Sequence, residues 1–317
     1  MNAKISLIAL TVCLALHASA QNERITFEAP GVYPEGIAFN NKTQTAYVSS
    51  VRTGTIGSVD AQGKYKEVFA DKGLKSSFGM KVDEKRNHLW VCVGDPNYSV
   101  YKDSTTFGKM ARVVVIDLAT NQKISDTDLS SLFRGRHFLN DITFDDKGNA
   151  YVTDSFSPVI YKIDTKGNAI LWAQSALFKS KFIGLNGIAY HPAGFILAAQ
   201  NGDGCVLKID MKDPRRVQKV KIGTFFPGAD GLWVDAEQNL ILVQNKGVNK
   251  VFKIASTDRW ETARVVAATP STELFQNPTT CGLYKGGIYV LNAKLNELSD
   301  SSVRPSDAFS FQRVVFP

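Results

Sequence analysis

Hydrophobic positions along this chain fall in short bursts, not long stretches. "TAYVSSV" (45–51), "HLWVCVG" (88–94), "NAYVTDS" (149–155), "FILAAQN" (195–201), "NLILVQN" (239–245) and "GIYVLNA" (287–293) are compact runs rich in β-branched and aromatic residues, each ending on small or polar residues. Such runs predict strands. Turn formers follow the segments ahead of them, as in "FNNKTQ", "DEKRN", "DDKGN", "HPAG", "DAEQN" and "YKGG", so pairs of runs read as hairpins. A third strand follows in most units: "VVVIDL", "VIYKID", "CVLKID", "KVFKIA". No segment shows the 3.6-residue periodicity that a helical solenoid requires.

The hairpins repeat. Aligned on one position, Gly36, Gly79, Asp141, Gly187, Gly231 and Gly282 recur about every 40–50 residues, the period of a propeller blade. The predicted fold is all-β, a six-bladed β-propeller with four-stranded blades. A pair of β-sandwiches is the competing architecture. "RITFEA" near the start and "FSFQRVVF" near the end can both join the last blade, closing the ring with no open seam. That argues for a single domain over 21–317.

The residues before the aligned positions are Glu35, Phe78, Asn140, Asn186, Asp230 and Cys281. In a propeller the innermost strands line the axis, and equivalent positions at their starts form a ring at one mouth. Four of the six carry hard oxygen: Glu35, Asn140, Asn186 and Asp230. Two carboxylates and two amides suit one divalent cation, with positions left for water or substrate. The alternative is that these side chains only satisfy turn amides. Phe78 is expected to give the pocket an apolar wall. Asp141, where most units have glycine, is expected to orient Asn140 or line the pocket.

These motifs, "PEG", "LND", "LNGIAY" and "ADGLWVD", resemble those of the gluconolactonase/regucalcin (senescence marker protein) family, and the resemblance covers the blade pattern of 21–317. It implies a six-bladed propeller with one axial metal, most often calcium, with zinc or manganese as alternatives. Glu35, Asn186 and Asp230 would be ligands, and Asn140 would border metal and substrate. It also implies hydrolysis of lactones or small esters, with Asp230 accepting a proton from attacking water. One departure concerns specificity: family members acting on sugar lactones commonly carry Arg two residues before the Asn140 position, where this chain has Phe138. Paraoxonase-like and strictosidine synthase-like propellers share the architecture. A metal-stabilised binding propeller without turnover is the alternative function.

His137, three residues before Asn140 on the loop leading to the mouth, is the candidate proton-transfer helper. No G-x-S-x-G motif, phosphate loop or dinucleotide fingerprint is present. Cys281 has no neighbouring His or Asp in sequence to activate it. The polar insertion from Gly94 to Ala111 is long enough to form a lid.

Composition changes the picture at one end. Lys4, the apolar run Ile5–Leu16 and "ASA" before Gln21 have the layout of a cleavable secretory signal over 1–20, which points to a secreted or periplasmic protein. The run is too short to span a bilayer, which needs about 20 apolar residues. The net charge of +7 is dispersed, without the basic block of a nucleic-acid-binding protein. The expected partner is a small lactone or ester. Beyond residue 20 the cysteines are Cys92, Cys205 and Cys281, with no C-x-x-C spacing, and read as packed thiols.

Overall fold

The computed structural model describes residues 23–317, so the signal sequence predicted for 1–20 lies outside the described residues. Six small antiparallel sheets follow one another along the chain. Their first strands are Ile37–Asn40, Ser76–Asp83, Leu139–Phe144, Leu185–His191, Ala229–Val234 and Pro278–Tyr284. These first strands contact each other in sequence, and the last returns to the first. The result is a closed six-bladed β-propeller whose first strands surround the axis.

Closure follows the pattern anticipated from the termini. Arg24–Glu28 forms the outer strand of the sixth blade and pairs with Ala308–Arg313. Phe27, Phe309 and Phe311 are buried at this seam, their ring centroids 6.2–6.3 Å from Phe27. Deleting such a buried phenylalanine costs about 3–5 kcal/mol, so the seam contributes strongly to stability. The fifth blade departs from four strands. After the short outer strand Val217–Lys219 of the fourth blade, Lys221–Ile222 pairs parallel to Thr262–Ala268 as a fifth strand.

Local chemistry explains the hairpins. Asp145 accepts hydrogen bonds from the Lys147 and Asn149 amides. Asp235 does the same for Glu237 and Asn239. These side chains replace the main-chain partners that a reversing chain loses. The residue before the closing Asn needs a positive φ, supplied by Gly148 at 83° and, without glycine, by Gln238 at 64°.

Near one mouth, five of the six first strands carry a β-bulge. Register shifts isolate Phe78–Gly79, Asn140–Asp141, Asn186–Gly187, Asp230–Gly231 and Thr279–Thr280. In the first blade Glu35–Gly36 holds the same place just before Ile37, its amides donating to Ser49 Oγ. A bulge puts two residues opposite one and turns the strand locally. The sixth-blade equivalents are therefore Thr279 and Thr280. Cys281 lies two residues beyond the position that alignment on Gly282 gave it, because the sixth blade carries Thr280 where most blades have the ring glycine.

Candidate functional site

The five bulged pairs and Glu35–Gly36 pack main chain to main chain around the axis. A Cβ on Gly36 would overlap the Phe78 carbonyl, one on Gly79 the Asn140 carbonyl, one on Gly187 the Asp230 carbonyl, and one on Gly231 the Thr279 carbonyl. Thr279 and Thr280 complete the circuit by donating to the Glu35 carbonyl at 2.6 and 2.9 Å. Thr153 bridges the third and fourth blades, donating to the Asn186 carbonyl at 2.7 Å. Glycine recurs here because the neighbouring blade leaves no room for a side chain.

This circuit brings the predicted residues into one environment. Glu35, Asn140, Asn186 and Asp230 are all buried. Burial lifts the Glu35 carboxyl well above the usual range, and the charges of Asp230 and Asp141 raise it further. Asp230 is pushed up to about 7, chiefly by burial and next by Asp141, with the amides of Asn245 and Asn186 and the Gly231 N–H opposing. Asp141 is raised to about 6, mainly by burial, with the Lys81 charge opposing. Three carboxyl groups thus feel one another across the axis. Two polar atoms there, Glu35 Oε2 and Asn186 Oδ1, are buried without a hydrogen-bond partner. Buried oxygens without partners are costly, and a cation between them would satisfy both. Among the described residues no three His, Cys, Asp or Glu side chains are grouped to hold a metal. Any ion here relies on two carboxylates plus amide oxygens, a donor set suited to hard cations.

The other predicted residues take different places. The Phe78 ring is fully buried and packs edge-on against Phe138 and Tyr98; the apolar wall expected of it lies behind the mouth. His137 is buried, its Nδ1 2.7 Å from Asp154 Oδ2. Asp154 also accepts from the amides of Phe138, Phe156 and Ser157. The pair anchors the loop that delivers Asn140. The Asp141 carboxylate accepts from the Ile142 and Ile188 amides, stitching the third blade to the fourth. Burial pushes the Cys281 thiol up to about 12, leaving no thiolate for a nucleophile. Cys92, Cys205 and Cys281 are all free.

Several contributors were missed in the sequence. Asn245 donates to Asp230 Oδ2 at 2.6 Å, and Ser49 and the Thr279–Thr280 pair hold Glu35. For Ser49 and Asn245 the signal was the polar ending of a second strand, which reads as a turn until the blades are assembled. Tyr98 comes from the insertion, and its pKa is raised by burial first and then by the charges of Glu35 and Asp230. The insertion is tied down on both sides. Val100 N–H donates to the Arg52 carbonyl at 2.8 Å, and Gly108 accepts from His137 N–H at 2.9 Å. It therefore bridges loops of the first and third blades at this mouth, the place expected of a lid.

Fold and ring together define a six-bladed propeller with an acidic, amide-lined axial mouth. No known family model and no curated protein sequence matches the chain. Solved structures do match. The major Malassezia sympodialis allergen Mala s 1 aligns with TM-score 0.73 at 16% identity, covering 93% of this chain and 96% of that one. A luciferin-regenerating enzyme aligns at 0.64 and 17%, covering 93% and 96%. A gluconolactonase candidate aligns at 0.61 and 16%, covering 94% and 93%. At such identities the likeness establishes the shared six-bladed propeller fold.

Proposed function

We propose that the chain is a secreted, divalent-metal-dependent hydrolase of lactones or small esters, with calcium as the first candidate ion. The observation that carries this reading is the pair of unpartnered buried oxygens, Glu35 Oε2 and Asn186 Oδ1, beside an Asp230 carboxyl raised to about 7. The likeness to propellers that include a gluconolactonase candidate supports the same class, though fold alone does not assign chemistry.

Glu35, Asn186 and Asp230 would hold the ion, with Asn140 at its edge. When bound, a divalent cation supplies polarisation of an ester carbonyl and eases deprotonation of water. Asn245 holds Asp230 Oδ2 and so orients the carboxylate that would accept a proton from the attacking water. The Asn140 amide would orient the substrate carbonyl. Tyr98 and the insertion exclude bulk water above the ring. His137, held by Asp154, fixes the loop bearing Asn140.

The test is a lactone and ester panel with calcium, zinc or manganese, run on the native chain and on Asp230→Ala. Metal-dependent turnover that disappears in the variant is expected. Tight metal binding without turnover on any substrate would favour the binding propeller, a reading encouraged by Phe138 at the place where sugar-lactone hydrolases commonly carry Arg.

A further inference from the structure

One well-formed cavity lies away from the acidic mouth. It has a volume of about 480 Å³ and is lined by the later part of the first strands and by the hairpin turns beyond them, including Asn41, Glu84, Arg86 and Gly148. It therefore opens at the opposite end of the channel. Its size falls within the usual range for small-molecule sites.

The bulge register explains how this end is built. Three residues beyond each pair's first member lie Ala38, Lys81, Thr143, Ala189, Trp233 and Gly282. Four are small. The two large ones, Lys81 of the second blade and Trp233 of the fifth, come from opposite sides of the ring and meet across it, with Lys81 Nζ 4.1 Å from the indole centroid. Both also line a second chamber of about 220 Å³. The pair partitions this end of the channel, and the larger chamber has walls of Phe39, Phe144 and Trp233.

Charge decides the ligand. Most acids near this cavity already have partners. Asp83 is bonded to Arg86 and caps its own turn; Asp145 is occupied by Asn149 and Tyr151; Glu84 accepts from Asn41 N–H. Both oxygens of Asp141 accept main-chain amides. Lys85 and Asp146 stand exposed at the rim, one of each sign. Lys81, half-buried, has no ion-pair or hydrogen-bond partner among the described residues. Its ammonium feels the Asp141 charge and lies in a cavity whose apolar walls include Phe39, Phe144 and Trp233, with the other charged groups towards the hairpin turns.

We propose that this lower chamber is a second ligand site, for a small organic acid with an aromatic or branched aliphatic body. The carboxylate pairs with Lys81, and the body lies against Trp233, Phe39 and Phe144. An ion pair out of bulk water, combined with aromatic contact, gives the site both selectivity and affinity. The site does not depend on the axial metal or on the proposed hydrolysis.

Calorimetric titration with 2-naphthoate and with the uncharged 2-naphthamide tests this. Saturable naphthoate binding is expected, at least tenfold tighter than that of the amide. Lys81→Met should weaken naphthoate at least tenfold and leave the amide within twofold. Lys81→Arg, which keeps the charge, should stay within about threefold of the native chain and so separates a lost ion pair from a damaged fold. Asp230→Ala should leave naphthoate binding unchanged, even if it abolishes everything at the acidic mouth. Absence of saturable naphthoate binding would overturn the proposal. So would equal weakening of both probes by Lys81→Met, or loss of naphthoate binding in Asp230→Ala.

Discussion

The two ends of the axial channel are made by the same six strands, only a few residues apart, yet they are chemical opposites. At one end main chains meet, glycine is enforced, and the side chains beside it are carboxylates and amides facing one another. At the other end side chains fill the axis, and a lysine and a tryptophan from opposite blades touch across it. The bulge separates the two regimes. Above it each strand approaches its neighbour closely; below it the strand regains ordinary alternation and large residues fit. Asp141 joins them, raising Glu35 and Asp230 on one side and facing Lys81 on the other. Clustered acid with unpaired oxygen suits the proposed cation, whereas a lysine held over an aromatic ring suits the proposed organic anion.

The contrast can be broken most severely at the bulge. Gly36→Val puts a branched side chain into the Phe78 carbonyl, where backbone cannot yield. Such overpacking costs about 3 kcal/mol or more, so urea denaturation should show a large fall in midpoint, or no folded protein. A Gly286→Val control, where a Cβ meets nothing within 4 Å but φ is 73°, should lose less. Equal losses would remove close approach as the reason for glycine at the ring.

Asp230→Ala should abolish metal-dependent turnover, with a loss of about 10²-fold or more, in line with the worth of a positioned acid–base group. Steady-state kinetics on any lactone found active would measure it, and unchanged rates would remove Asp230 from the chemistry.

The acidic end should also destabilise the metal-free protein as pH rises. The Asp230 carboxyl is held at about 7 in the fold against about 3.9 in an unfolded chain, and Glu35 is raised in the same sense. The folded state then binds more protons than the unfolded one across this interval. Its stability is full below about pH 4 and falls as pH climbs to about 7. In chelator, the melting temperature should drop by several degrees over that range, and calcium should restore it at pH 7. Asp230→Asn should flatten the decline and raise the chelated melting temperature. A flat profile for the native chain would mean that the carboxyls do not share one environment.

The smallest effect is expected at Cys281, which lines the lower cavity. Cys281→Ala should cost about 1 kcal/mol or less by thermal melt and leave turnover within twofold. A large loss of activity would restore the thiol as a reacting group.

Much of this was legible in order of residues alone. Strand runs, Asp-led turns and a repeat of about 40–50 residues specify a closed propeller, because each is a local preference that the tertiary fold does not need to override. The identities of Glu35, Asn140, Asn186 and Asp230 as one set followed from their shared repeat position. Geometry that depends on register was not legible. The sixth blade's bulge carries no glycine to mark it, so Thr279–Thr280, and not Cys281, completes the ring. Phe78 and His137 stood near the mouth in sequence, but rotation of their side chains into the core is decided by packing. Lys81 and Trp233 lie far apart along the chain and carry no joint motif; only ring closure sets them face to face. Sequence determined which residues recur, and the assembled ring decided which of them meet, because contacts across an axis depend on the sum of every blade's register.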